Sequence, residues 1–239
     1  SLLNAHFALR DYRGFDASLR EFEAYASSPE AMKHDNFRVH TSIYINSARI
    51  NSHLMKGTFA EGVKLVPEIE ANLSDYALYV DPHRIMLFNY KIASLYFGNR
   101  DFDKAIDYLH RIIHGPVDMR VDLQCYARLQ HLLSHYELGN YDILDSLSKS
   151  VHRFFAKMKN LTIVEKAIFD FLQHSFGYPP REIQARLEKF LDQVQHLEKS
   201  RFETRSFAYL DIISWAESKV KGKTMEAVIH QKYLSSSRR

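Results

Sequence analysis

The chain has 239 residues, enough for one large domain or two small ones with a sizeable core. A hydrophobic share of 46% and a charged share of 26% exclude an intrinsically disordered chain, and no apolar run reaches the ~20 residues of a membrane-spanning helix. The formal charge of +3, with no clustered basic stripe, argues against a nucleic-acid partner.

Sixteen Phe and fourteen Tyr stand against eight Gly and six Pro, so long uninterrupted elements are expected. The single Cys125 allows no intrachain disulfide and fits a reducing compartment, which makes the cytoplasm the expected location. No secretory leader pattern opens the sequence. The spacing is already helical at Ser1, which leaves room for an upstream segment.

Apolar spacing predicts helices along the whole chain. A first turn at Gly14-Phe15 precedes the helical face Leu19, Phe22 and Tyr25. A second, Gly57-Thr58-Phe59, precedes Val63, Val66 and Ile69, with Thr58 and Glu61 spaced as a capping box. Pro67 lies inside this helix, where it removes a backbone donor and crowds the preceding turn, so a kink or break is expected. Asp81-Pro82 opens the next helix, whose inward face is Ile85, Phe88, Ile92, Ala93 and Tyr96. After a turn at Gly98-Asn99-Arg100-Asp101, the residues Phe102, Ala105, Ile106, Leu109, Ile112 and Ile113 fall on one face. Gly115-Pro116 stops that helix, with Gly115 suited to a left-handed position. A fourth turn, Gly139-Asn140-Tyr141, leads into Leu144, Leu147, Val151 and Phe154.

The stretch from Ala93 to Ile106 resembles the tetratricopeptide signature. A small residue, an aromatic three later, a tight turn, a second aromatic and then Ala105 follow in that order. The resemblance covers roughly residues 1–155. It implies an all-α fold, an α-α superhelix built as a solenoid of antiparallel helix pairs. The turn aromatics Phe15, Phe59, Phe102 and Tyr141 recur at spacings of 44, 43 and 39 residues, longer than the family's ~34.

Beyond residue 155 the helical habit continues without the signature. Thr162 and Glu165 form a second capping-box pair, and Phe176-Gly177-Tyr178-Pro179-Pro180 is the strongest break. Amphipathic helices follow at Ile183–Leu197, at about Phe202–Val220 with Trp215 near its end, and at about Met225–Leu234. Residues 156–234 therefore read as a divergent fifth hairpin and capping helices in the same domain, with 235–239 as a frayed tail.

Sites of chemistry are few. His110 and His114 share a helix face, as do His131 and His135, but each pair lacks a third ligand and the adjacent Glu of catalytic zinc helices. Hydrogen-bonding roles are expected for them, with no metal and no cofactor. Cys125 reads as a buried structural thiol. No glycine-rich phosphate loop, nucleophile elbow or paired-cysteine motif is present, so no enzyme is expected. Lys219, Lys221 and Lys223 around Gly222 read as a solvated helix end.

The resemblance places a concave groove along the first helix of each pair. Leu87, Tyr90, Ser94 and Phe97 would line it in the third repeat, Asn51 in the second, and Gln130, Ser134 and Glu137 in the fourth. Tyr90 and Phe97 would be its aromatic anchors. The basic cluster with which some family members hold a carboxyl terminus is lacking. The expected function is a non-catalytic scaffold for a protein or peptide partner, a second copy of the chain included. The alternative is a ligand- or peptide-sensing regulatory region of a larger protein.

Overall fold

The computed structural model describes residues 2–33, 35–116, 119–158, 166–168, 170–171, 180–196 and 210–237, and these form helices and no strand. The helices are α1 (Leu2–Leu9), α2 (Tyr12–Ala26), α3 (Pro29–Met32), α4 (Asp35–Lys56), α5 (Phe59–Val63), α6 (Val66–Asp75), α7 (Pro82–Gly98) and α8 (Phe102–Ile113). They continue with α9 (Val121–Glu137), α10 (Tyr141–Met158), α11 (Pro180–Val194), α12 (Ile212–Lys221) and α13 (Met225–Ser237). Neighbours pair as α1 with α2, α4 with α5 and α6, α7 with α8, and α9 with α10.

Four turns share one design. Arg10-Asp11-Tyr12, Gly57-Thr58-Phe59, Arg100-Asp101-Phe102 and Gly139-Asn140-Tyr141 each place a left-handed residue, a capping residue and a helix-opening aromatic in that order. In each, the capping N–H donates to the carbonyl five residues back: His6, His53, Tyr96 and His135, at 2.9–3.1 Å. This closing bond satisfies carbonyls that a helix end would leave open. The left-handed position favours Gly, and φ is +67° at Gly57 and +75° at Gly139. Arg10 and Arg100 adopt it as well, at +55° and +64°.

The first turn thus lies at Arg10–Tyr12, ahead of Gly14, which is already inside α2. From aromatic to aromatic the spacings become 47, 43 and 39 residues. Gly115 does not take the left-handed conformation expected of it; α8 ends on His114 instead. Nor does Thr58 form the capping box, because its hydroxyl bonds His53 Nδ1 at 2.7 Å while Glu61 pairs with Lys64. Pro67 does break its helix, dividing it into α5 and α6 with the proline in the first turn of α6.

Small residues let the layers approach. Ala93, Ala105 and Ala127 are fully buried beside Leu95, Leu109, Leu132 and Leu133. Gly98 sits where a Cβ would come within 2.4 Å of the Phe59 ring, so α5 docks directly on the end of α7. Asp81 and Asp101 cap α7 and α8 by accepting from His83 N and Lys104 N.

The C-terminal helices fold back along the turns. Trp215 of α12 meets Tyr136, Phe171 and Phe190 edge-on, with ring centroids 6.0–6.5 Å apart. From there α13 runs to α4 and α2, where His230 Nδ1 meets the Lys56 carbonyl at 3.0 Å and Tyr233 packs edge-on against Tyr12 at 5.1 Å. Helices α12 and α13 thus lie across the turns that join the earlier helices. Helix α13 continues to Ser237, so residues 235–237 of the expected tail are helical. The capping pair Thr162–Glu165, the break at 176–179 and the helix start near Phe202 lie outside the described residues.

Candidate binding cleft

Most of the expected groove residues are interior. Tyr90 is 1% exposed and Phe97 2%, and Asn51, Ser94, Gln130 and Ser134 are equally buried. The cause is close lateral packing of α4, α7 and α9. Tyr90 lies 6.3 Å from the Tyr126 ring, and Ser94 Oγ donates to Gln130 Oε1 at 3.2 Å, both across the α7–α9 contact. Phe97 packs edge-on against Phe102 at 5.2 Å. Leu87 is half-buried. Glu137, also half-buried, accepts from Trp215 Nε1 and from Lys219 Nζ, so it tethers α12. In the described structure Tyr90, Ser94, Phe97, Gln130 and Glu137 form interhelical contacts, while Asn51 and Ser134 are buried, so these residues do not line one open groove.

A cleft opens elsewhere, between α1, α2 and α4, with a volume of about 460 Å³. Leu2, Leu3, Phe22 and Ala48 give it an apolar lining, while Asn4, Ser18, Glu21 and Ser47 supply polar atoms. The amphipathic pattern explains the opening: α2 turns Phe15 inward and leaves Ser18 and Phe22 half-covered, so the layer is not closed. Tyr44 forms one wall, its ring under the Arg84 guanidinium at 4.5 Å and its hydroxyl accepting from Arg84 Nη2 at 2.6 Å. That pair holds an aromatic surface, 40% exposed, in one orientation.

Ser47 joins the cleft to the interior. Its hydroxyl lies 2.6 Å from the amine of Lys91, a side chain from α7 that is 2% exposed. Burial disfavours the ammonium form and brings the Lys91 pKa down to about 7. A polar, titratable group therefore lies one hydroxyl behind an apolar cleft. The link between Lys91 and Ser47 spans 44 residues, beyond the reach of a local pattern.

The two histidine pairs also converge, on the facing surfaces of α8 and α9. His110 Nε2 lies 3.0 Å from His131 Nε2, and His135 Nε2 lies 3.2 Å from the same atom. Burial, reinforced by His135, His110 and His114, pushes the His131 pKa down to about 3. Cys125 is buried, as its apolar neighbours suggest. No helix among the described residues is long and apolar enough to cross a membrane. No family model, curated protein or solved structure matches the chain.

Proposed function

We propose that the chain is a non-catalytic helical-repeat scaffold of tetratricopeptide-like, superhelical architecture, which holds an apolar peptide segment of a protein partner. The cleft between α1, α2 and α4 is the surface that carries this reading. Its volume of about 460 Å³ suits one or two bulky side chains, and its polar rim suits a peptide backbone. The recurrence of one turn, a left-handed residue, a capping residue and a helix-opening aromatic, supports the repeat assignment. Complementarity on a preformed surface is the mechanism, with no covalent step.

Phage-displayed peptides selected against the folded chain test it. Enriched sequences should carry a large apolar anchor. Ser18→Trp, which fills the cleft from α2, should weaken them at least tenfold, about 1.4 kcal/mol, with melting unchanged. Peptides held equally by wild type and Ser18→Trp would remove the cleft from the account.

A further inference from the structure

We propose that the cavity between the α7–α8 turn and the α12–α13 hairpin binds a compact ligand through a phosphate group, with Arg100 as its main contact. The first observation is backbone strain. Among the described residues, three besides glycine take the left-handed conformation, and all three are arginines: Arg10, Arg100 and Arg120. A Cβ is disfavoured there, and Gly57 and Gly139 hold the equivalent position in their own turns.

Two of these arginines have an acid partner within the chain. Arg120 grips Asp122 in a fork, Nε to Oδ1 at 2.9 Å and Nη2 to Oδ2 at 2.7 Å. Arg10 lies 3.8 Å from Asp211 and rests against the Phe7 ring. The Arg100 guanidinium has no hydrogen bond, ion pair or ring contact among the described residues. It lines a cavity of about 210 Å³ instead, and its exposure lets a ligand reach it from solvent. A strained position held by an unpaired cation at a cavity wall points to a bound anion.

The rest of the lining agrees. Arg100, Lys219 and Lys223 stand there against one carboxylate, Glu137. That carboxylate is already held by the Trp215 indole N–H and by Lys219, so Arg100 and Lys223 are left uncompensated. Lys223 has a neutral acceptor, Gln231 Oε1, at 3.5 Å. Thr224 accepts from Ala227 N at 3.1 Å, which leaves its own hydroxyl proton for a ligand oxygen. Buried Phe97 and Trp215 also line the cavity, and their apolar surface strengthens charge pairing beside it. A guanidinium fork, an ammonium and a hydroxyl match the oxygens of a phosphate monoester. The volume lies below the ~300 Å³ of pockets for drug-sized molecules, so the remainder of the ligand is small. A free phosphate monoester and a phosphorylated side chain of a partner share this chemistry.

Calorimetric titration of the full chain with methyl phosphate, and with a blocked phosphoserine tripeptide, tests the site. One saturable site that weakens with added salt is expected. Arg100→Gly should weaken binding roughly tenfold or more while melting stays the same or rises, because glycine suits φ of +64°. That split separates a ligand contact from a structural role. Lys221→Gln, at an exposed lysine paired with Glu217 outside the lining, should bind as wild type. Tighter binding of methyl phosphate marks a free ligand, and tighter binding of the tripeptide marks a phosphorylated partner. No saturable binding of either probe, equal binding by wild type and Arg100→Gly, or acetate bound as tightly as phosphate would overturn the site.

Discussion

Lys91 places a titratable amine where water does not reach, and that has a signed consequence. Its pKa is about 7 in the folded chain against 10.5 in the unfolded one. Between those values the unfolded chain carries the extra proton, so this lysine's penalty is complete below pH 7 and relieved as pH rises toward 10.5. Urea unfolding should show wild-type stability climbing from pH 7 to 9. Lys91→Met should flatten that rise and add about 1–3 kcal/mol at pH 7. The window stops at 9 because buried Tyr136, raised to about 12, works in the opposite direction above its ordinary 10. An unchanged slope in Lys91→Met would assign the rise to other groups. At this scale the sequence was legible in type and illegible in pairing. Tyr90 and Phe97 were recognisable as large apolar residues on α7, but which face would be closed by α9 depended on how tightly the helices pack.

The turn is the informative element. Asp81-Pro82, the face from Phe102 to Ile113 and the break at Pro67 could all be read locally, because capping and helical period act over a few residues. The first turn was misplaced by its glycine. A left-handed arginine takes the position that Gly57 and Gly139 hold elsewhere, and composition alone does not flag Arg10. The C-terminal hairpin was foreseen as helix but not as a strap across the turns, since its contacts to them span 78 to 221 residues. Glu137 holds that strap, with a side chain 9% exposed between Trp215 and Lys219. Glu137→Ala should leave the buried indole N–H without an acceptor and lower stability by about 1–3 kcal/mol in denaturant unfolding. A change under about 0.5 kcal/mol would mean that the strap is held by apolar packing alone.

At the scale of the molecule, four helix junctions among the described residues share one turn design, and α13 ties the turn between α4 and α5 to the first. Lateral packing closes the face that the resemblance offered as a groove, and the open apolar surface shifts to the first pair. That shift follows from packing between helices whose turns lie 47 residues apart, beyond the reach of any local pattern. Amide hydrogen exchange with and without a selected peptide tests the account most directly. Added protection confined to residues 2–4, 18–22 and 44–48 is the result predicted. Protection centred on α12 and α13, or none in the first pair, would contradict it.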